Sequence, residues 1–381
     1  MSDELHAETT GSRARPHMLD EIYEQPHAIS QTVMRHVEDE TIFGTALAPV
    51  ASALARCGKL IIAASGTSRH AGLAGEIMIE DLAGVAVDVE YSSEYCYRTA
   101  HASADPIVMA ITQSGETVDT IAAQREAAIR GATTISICNV PGATIAREAT
   151  ASLLTYAGPE LAVPATKSFT TQLTVLYLFA LYLARRSGRM TSEVVRGHLE
   201  ELRKIPVALT DRIREWDDVC REIAPRYALA RTFLFLGRGV HYAIAREGAL
   251  KLKEISYAHA EGYPAGELKH GPNALVGQNC PVVVLATHDP SDPDSLLRYR
   301  KTLVTIADIR ANGGSVIAVA NDRDEAVSEL ATDTLFVPPV AELLLPIVEV
   351  IPLQLFAYHV ATANGCDVDR PRNLVKSVVV E

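Results

Sequence analysis

Several signatures of other protein classes are missing from this chain of 381 residues. Its six cysteines include no C-x-x-C pair, and a chain of this length has no need of disulfide staples, so we expect reduced thiols. Apolar runs stay below the roughly 18 residues of a membrane-spanning helix, and the polar start lacks the pattern of a secretion signal. His, Cys and Asp residues do not stand at metal-ligand spacing. We therefore expect a cytoplasmic protein with neither a metal nor another cofactor, and a disordered extension over residues 1–17.

Basic charge is also scarce. With 35 Lys and Arg against 47 Asp and Glu, the net charge is −12, which disfavours non-specific binding to nucleic acid or to an anionic membrane. An anionic ligand would therefore have to be held by local dipoles and individual lysines. The hydrophobic content of 48% and the charged content of 22% are ordinary for a globular protein, and the length suffices for about two domains.

Short apolar runs recur along the chain, bounded by turn residues and mostly separated by helical patterns. Continuous apolar strands that alternate with helices indicate parallel sheets covered on both faces, which is an α/β fold. The runs are Leu60–Ala64, Val85–Val89, Ile107–Ile111, Thr134–Cys138, Thr232–Leu236, Val282–Ala286, Val316–Val319 and Leu335–Val337.

The two halves of the chain also resemble each other. Two stretches match at the same spacing: Leu60–Gly66 followed by His70 and Glu76, and Phe233–Gly237 followed by His241 and Glu247. The match predicts two tandem α/β units. We place a helical segment at 18–50, the first unit at 51–190, connecting helices interrupted at Pro206 at 191–226, the second unit at 227–365 and a tail at 366–381. Within the first unit, Thr166–Arg186 is predicted to be a long buried helix, because charges at its ends disfavour a membrane span.

The stretch Thr112–Thr117 has the outline of a phosphate site. It follows a buried strand and precedes a helical pattern, so backbone N–H groups and hydroxyls meet where the positive end of the helix dipole points. The stretch contains no Lys to reach outer phosphates, which favours a monophosphate over ATP. An ordinary helix N-cap is the alternative interpretation.

Three further features could carry chemistry. Lys251 and Glu254 stand three residues apart on a predicted helix, where an exposed ion pair is the simpler interpretation. His270 lies in a turn-rich loop and could transfer protons, although a solvated His is commoner. Lys376 lies in an apolar C-terminal tail, where a partly buried amine could attack a carbonyl; the alternative is an edge strand with a solvated Lys.

From Met18 to Glu381, the chain resembles the sugar isomerase (SIS) family, in particular the isomerase part of glutamine–fructose-6-phosphate aminotransferase, or glucosamine-6-phosphate synthase. The resemblance covers nearly the whole chain. It rests on separated motifs: Ser65–Ser68, Gln113–Thr117, Ala165–Gln172, Leu250–Ile255, Gly266–Pro272 and the tail Asp367–Glu381. It implies two SIS domains, each a flavodoxin-like α/β/α sandwich with a parallel sheet.

The resemblance also implies residue roles. A sugar phosphate would be held by Ser68, Thr112, Gln113, Ser114 and Thr117, and the sugar by Thr67 and the backbone near Val163 and Val375. Glu254 would move a proton between C1 and C2, assisted by Lys251, and Lys376 would form a Schiff base with the C2 carbonyl of fructose 6-phosphate. His270 would reach across from a partner subunit and open the sugar ring, which implies a homodimer with shared active sites.

Three positions depart from the family pattern. Ser65 stands where the family commonly has Cys, and Thr112 and Ala165 stand where it has Ser. Thr112 keeps a hydroxyl, so phosphate binding should survive the change. Ala165 removes a hydroxyl, which is expected to weaken or reshape the pocket.

The resemblance leaves several functions open. Only 17 residues precede the matching region, where the synthase has a glutaminase domain, so the first expectation is a glucosamine-6-phosphate deaminase that forms fructose 6-phosphate and ammonia. The second is synthesis of glucosamine 6-phosphate from free or partner-supplied ammonia. A non-catalytic phosphosugar sensor and an enzyme for another amino-sugar or fructosamine phosphate are further alternatives.

Overall fold

The computed structural model describes residues 15–98 and 106–377. Most of the extension expected at the N-terminus therefore lies outside the described residues, as do residues 99–105 and 378–381. The described chain forms two parallel sheets of five strands each, both covered by helices. The predicted pair of tandem α/β units is confirmed.

Helices and strands alternate through both units. The α-helices are α1 (His17–Tyr23), α2 (Gln25–His36), α3 (Ala51–Ala55), α4 (Gly66–Ala83), α5 (Ser92–Tyr95), α6 (Val118–Ile129), α7 (Thr144–Glu148), α8 (Lys167–Arg186), α9 (Ser192–Tyr227), α10 (His241–Ser256), α11 (Pro293–Ala311), α12 (Glu325–Leu330) and α13 (Leu345–Ala363). The strands are β1 (Val37–Glu38), β2 (Thr41–Ile42), β3 (Lys59–Ala64), β4 (Ala86–Tyr91), β5 (Ile107–Ile111), β6 (Thr133–Cys138), β7 (Ala151–Leu154), β8 (Thr232–Gly237), β9 (His259–Pro264), β10 (Val282–Leu285), β11 (Val316–Asn321) and β12 (Asp333–Val337). Short 3₁₀ helices cover Ala48–Val50, Ala265–His270, Pro272–Leu275 and Glu342–Leu344.

The two sheets have the same strand order. The first unit runs β4-β3-β5-β6-β7, and the second runs β9-β8-β10-β11-β12, with every neighbouring pair parallel. In the first sheet Ile62 lies between Val89 and Met109. In both sheets the second strand along the chain lies on one side of the first strand, and the third strand lies on the other side. Doubly wound folds bind ligands at this change of side.

All eight apolar runs noted above form strands, whereas four strands were missed. Two of these, β7 and β9, are edge strands, and the other two form the antiparallel hairpin of β1 and β2 inside the segment predicted as helical. The edge strand β9 reads HAEGYP and has one buried residue, Ala260, so it lacks the apolar run of a central strand. Pairing with β8 specifies it instead.

The helix that follows the last strand of each unit is buried. The helix α8 covers the region predicted as a buried helix, and 17 of its 20 residues are buried, which confirms that prediction. Its counterpart α13, together with the preceding 3₁₀ turn, is long and apolar enough to cross a membrane. However, 94% of its apolar 18-residue stretch is buried within the fold. It is therefore a core helix of the second unit.

The break predicted at Pro206 is wrong. The helix α9 runs without interruption for 36 residues and contains both Pro206 and Pro225. Proline lacks the N–H that would bind the carbonyl one turn earlier, which normally kinks or ends a helix. Here a long apolar face that includes Leu202, Leu209 and Trp216 is buried against the fold, and this packing outweighs the lost hydrogen bond.

The contact between the units determines where a site can form. The helix α4 of the first unit packs on α10 of the second, and α8 and α13 pack on α4 and α10 respectively. Side chains on α10 are thereby brought to the carboxyl edge of the first sheet.

Candidate active site

A cleft with a volume of about 300 Å³ opens at the carboxyl edge of the first sheet. Such a volume suits a small ligand. Its lining comes from five parts of the chain: residues 65–68, residues 111–120, residues 163–165, the helix α10 and the tail. Every residue predicted for the site lines it except His270: Thr67, Ser68, Thr112, Gln113, Ser114, Thr117, Val163, Lys251, Glu254, Val375 and Lys376.

The loop Thr112–Thr117 connects β5 to α6 and forms one wall of the cleft. Gly115 has a φ of 73°, and a Cβ there would collide with Ala143, so the turn requires glycine. The Oγ1 atoms of Thr112 and Thr117 lie 2.9 Å apart. Thr117 is the N-cap of α6 but makes no side-chain capping bond within the described chain, so the first N–H groups of that helix are available to an anion.

Two hydrogen bonds join elements that line the cleft. Gln172 on α8 donates from Nε2 to Oγ of Ser68 at 3.0 Å, which orients the Ser68 hydroxyl beside the loop. The Oγ atoms of Ser114 and Ser377 lie 3.0 Å apart, so the tail touches the loop directly. The cleft therefore brings hydroxyl groups from three separate segments to one place.

Lys251 and Glu254, on α10, line another part of the cleft. The Nζ atom of Lys251 lies 2.6 Å from Oε2 of Glu254 and donates to Oγ1 of Thr67 at 3.0 Å. The Lys251 side chain is 1% exposed, so the simpler interpretation of an exposed ion pair is wrong. Glu254 is 20% exposed and faces the cleft, where it can meet a ligand.

Burial and charge tune this pair. Burial raises the pKa of Glu254, although the neighbouring Lys251 ammonium opposes the rise. Burial would lower the pKa of Lys251, but the carboxylates of Glu254 and Glu247 together raise it, so the ammonium stays charged. The result is a carboxylate that is more basic than usual and is fixed beside a permanent cation, a suitable arrangement for moving a proton on a bound ligand.

Glu247 and His70 support the pair from behind, and nothing in the sequence singled out either as part of a site. Oε1 of Glu247 accepts from Thr67 Oγ1 at 3.0 Å and lies 3.5 Å from Lys251 Nζ, while Oε2 lies 2.7 Å from Nδ1 of His70. Glu247 is fully buried. It therefore orients both Thr67 and Lys251 without facing the ligand.

Lys376 is held by a second buried carboxylate. Its Nζ lies 2.7 Å from Oε2 of Glu160, and the same oxygen accepts from the Ser168 hydroxyl at 2.7 Å. Oε1 of Glu160 accepts from the backbone N–H of Thr166 at 3.0 Å. Burial disfavours ionisation of Glu160, but Lys376 and the N–H donors outweigh it and lower its pKa. Within the described tail the chain forms turns rather than the edge strand that was the alternative.

The tail that carries Lys376 is anchored to the start of α1. The carboxylate of Asp369 accepts the N–H groups of His17 at 3.0 Å and Met18 at 2.8 Å, and its carbonyl accepts from Val163 N at 2.9 Å. On the same helix, Glu21 accepts the backbone N–H groups of Leu161 and Ala162 beside Glu160. Burial raises the pKa of Glu21 to about 7. The helix α1 therefore holds both the tail and the loop that contains Glu160.

Asp369→Ala is expected to lower turnover by roughly 10–100-fold with little change in phosphate affinity, because Lys376 loses its fixed position. The readout is kcat against KM, together with hydrogen–deuterium exchange of the tail. Asp20→Ala, which removes a carboxylate from α1 that does not contact the tail, is the matched control. Unchanged kcat and unchanged tail exchange in Asp369→Ala would contradict this role.

His270 lies apart from the other predicted residues. It ends the 3₁₀ helix Ala265–His270 of the second unit, is exposed and does not line the cleft of its own chain. Nothing in the sequence predicted a site role for Glu160, Glu247 or Asp369. The only available signal was for Glu247, which belongs to the repeat that links the two units.

The doubled α/β architecture, with a hydroxyl-lined cleft at one sheet edge, is that of a protein built from two sugar isomerase domains. The SIS domain model matches residues 53–182 and 227–363. The chain belongs to the SIS domain family.

Relatives and solved structures agree with that assignment. The chain is 46% identical over 368 residues to glutamine–fructose-6-phosphate aminotransferase (isomerizing) of Chlorobaculum tepidum, covering 96% of this chain and 58% of the relative. The enzyme of the same name from Thermus thermophilus is 44% identical over 370 residues, covering 96% and 59%. The C-terminal domain of the Francisella tularensis aminotransferase superposes with a TM-score of 0.87 at 36% identity, covering 94% of this chain and 99% of that domain.

A more distant structure shares the fold alone. Glucosamine-6-phosphate deaminase from Thermotoga maritima has a TM-score of 0.70 at 20% identity, covering 96% of this chain and all of that one. The chain spans a little under three fifths of the length of the curated relatives named above.

Proposed function

We propose that this chain is an amino-sugar phosphate enzyme that converts glucosamine 6-phosphate and water to fructose 6-phosphate and ammonia. The observation that carries the proposal is the meeting of three groups in one cleft: the hydroxyl-rich loop Thr112–Thr117, the carboxylate of Glu254 and the amine of Lys376. This reaction requires a group that binds the phosphate, a base that moves a proton and an amine nucleophile.

The phosphate is proposed to bind at the loop. The hydroxyls of Ser68, Thr112, Ser114 and Thr117 and the first N–H groups of α6 would donate to its oxygens, with Gln113 beside them. Thr67 and the backbone near Val163 and Val375 would hold the sugar. Because hexose phosphates are retained inside cells, we place the enzyme in the cytoplasm.

Glu254 is proposed to carry the proton between C2 and C1. In the open-chain form of glucosamine 6-phosphate, C1 is an aldehyde and C2 carries the amine. Removal of the C2 proton gives an enolamine, and return of a proton to C1 gives the C2 imine of fructose 6-phosphate. Lys251 lies 2.6 Å from Glu254 and would stabilise negative charge that develops on the oxygen at C1.

Lys376 is proposed to exchange the nitrogen. Its neutral amine attacks C2 of the imine, the bond from C2 to the original nitrogen breaks, and ammonia leaves. Water then hydrolyses the lysine imine, which releases fructose 6-phosphate and restores the amine. Glu160, at 2.7 Å, holds the side chain of Lys376 in place, and the proton that Lys376 loses before it attacks can pass to the departing nitrogen, which leaves as ammonia.

The base role of Glu254 has a pH signature. Only the carboxylate can take a proton, so activity should be present above the pKa of Glu254 and be lost as the pH falls through it. Since burial raises that pKa, the acid limb of kcat against pH is expected above the ordinary glutamate range. A limb at or below the ordinary range would argue against Glu254 as the base.

His270 is proposed to act in the cleft of a partner subunit, where it would open the sugar ring. Its exposure, away from the cleft of its own chain, supports a site shared across a homodimer. Mixing equal amounts of inactive His270→Ala and Glu254→Gln subunits should then restore up to about a quarter of wild-type activity. Half of the dimers are then mixed, and one of the two clefts in each mixed dimer has both residues intact. No restoration after confirmed subunit exchange would mean that each cleft works within one chain.

Synthesis of glucosamine 6-phosphate from ammonia is the second candidate, and the names of the relatives at 44–46% identity favour it. The same groups serve both directions. The purified chain should be assayed with glucosamine 6-phosphate for ammonia and fructose 6-phosphate, and with fructose 6-phosphate and ammonium for the reverse. Product in the reverse assay alone would overturn the deaminase proposal.

A further inference from the structure

The second unit repeats the strand order of the first, so it has an equivalent sheet edge. In the first unit the cleft lies among the start of α4, the loop from β5 to α6 and the segment before α8. The corresponding parts of the second unit are the start of α10, the loop from β10 to α11 and the segment before α13. At this second edge the space is filled by a buried network of charged side chains.

The centre of the network is Glu342, on the 3₁₀ turn before α13. Oε1 accepts from Nε of Arg298 at 3.0 Å and lies 3.1 Å from Nε2 of His241. Oε2 accepts from the hydroxyl of Ser295, in the first turn of α11. Ser295 is 1% exposed, His241 3% and Glu342 7%, whereas the side chain of Arg298 is 30% exposed, so Arg298 reaches this buried carboxylate from the edge of the site.

The surrounding charges limit which anion could replace the Glu342 carboxylate. Nδ1 of His241 lies 2.9 Å from Oε2 of Glu349, which also accepts from the hydroxyl of Thr287 at 2.6 Å. Burial opposes the charge on His241, but Glu349 and Glu342 outweigh it and raise its pKa to about 10. The carboxylates of Asp289 and Asp292 lie close, the first 3.4 Å from the backbone N of Glu342 and the second 3.7 Å from Arg298. These neighbours favour a single negative charge over a phosphate dianion.

We propose that the Glu342 carboxylate is an internal anion that closes the second unit's counterpart of the substrate cleft. The comparison of the two edges rests on the proposed phosphate role of Thr112–Thr117. Each element that would hold an anion in the first unit has a counterpart that contacts Glu342 or its partners in the second. Once vacated, the second site should accept a small carboxylate such as acetate, held by Arg298, Ser295 and His241.

The test is chemical rescue of Glu342→Ala. Its thermal midpoint is expected to fall by roughly 5–10 °C, since removal of one partner leaves buried charges unpaired. Sodium acetate should recover a substantial part of that loss relative to sodium chloride of equal ionic strength. Neither wild type nor Glu329→Ala, which removes an exposed carboxylate from the same unit, should gain from acetate.

Two further variants keep the proposal falsifiable if Glu342→Ala folds poorly. Glu342→Gln retains the shape and loses the charge, so it should fold with a lower midpoint. The double variant Arg298→Ala with Glu342→Ala should lose the acetate effect, because the main donor is gone. Equal gains in acetate and chloride for Glu342→Ala would overturn the proposal, and so would a thermal midpoint of Glu342→Gln equal to that of the wild type. Because the readout is stability, its failure is separate from a failure of sugar turnover.

Discussion

Glu254→Gln is expected to lower the turnover of glucosamine 6-phosphate by about 10³-fold, the usual size of a lost general base. An amide has nearly the shape of the carboxylate but cannot take the C2 proton. Its carbonyl oxygen can still accept from Lys251, which lies 2.6 Å from Glu254 in the wild type, so the wall of the cleft should stay in place. The measurement is kcat and KM from the appearance of fructose 6-phosphate.

The controls separate chemistry from binding. Glu200→Gln makes the same change on an exposed face of α9 and should leave both constants unchanged. Borohydride should still trap fructose 6-phosphate on Lys376 in Glu254→Gln, because imine formation at C2 does not need the C1 proton. Full activity of Glu254→Gln would show that Glu254 is not the base. No turnover in the wild type, with the sugar phosphate still bound, would instead favour a non-catalytic, phosphosugar-sensing role.

Lys376→Arg is expected to abolish borohydride trapping and to lower turnover by at least ~10³-fold. A guanidinium can keep the ion pair with Glu160 but forms no imine with the sugar carbonyl at neutral pH. Arginine is therefore preferable to a neutral substitution, which would leave Glu160 buried and unpaired. The measurement is the mass of the reduced adduct on the tail peptide, alongside kcat.

Lys204→Arg is the matched control, since Lys204 lies on α9 in an exposed pair with Glu201. It should trap sugar as the wild type does. Trapping that persists in Lys376→Arg would assign the imine to another amine. Wild-type turnover with no trapping in any variant would show that nitrogen exchange proceeds through water alone.

Much of the fold follows from local patterns. The central strands β3, β5, β8 and β10 are continuous apolar runs between turns, and a pattern of this kind specifies a buried parallel strand without reference to its neighbours. The edge strands β7 and β9 depend on the strands beside them and carry no such signal. The unbroken helix at Pro206 is a similar case, because packing of the distant apolar face overrides the local effect of proline.

Some residues of the site were likewise predictable from local sequence, and others were not. The loop Thr112–Thr117 is visible in sequence because strand, turn and helix start are adjacent along the chain. The roles of Lys251, Glu254 and Lys376 came from family resemblance, since spacing alone favoured exposed side chains. Glu160 and Asp369 act across 216 and more than 350 residues of chain, as partners of Lys376 and of α1. Contacts over such distances are products of the folded topology and leave no local pattern.

Nuclear magnetic resonance of the wild-type chain with glucosamine 6-phosphate in D₂O tests the central claim most directly. We expect fructose 6-phosphate and ammonia, with deuterium at C1 in a fraction of the product, because a proton carried by Glu254 can exchange with solvent before it reaches C1. Glu254→Gln should form product and incorporate deuterium about 10³-fold more slowly. Binding of the sugar by the wild type, with unchanged substrate and no deuterium at any carbon, would contradict the proposed proton transfer.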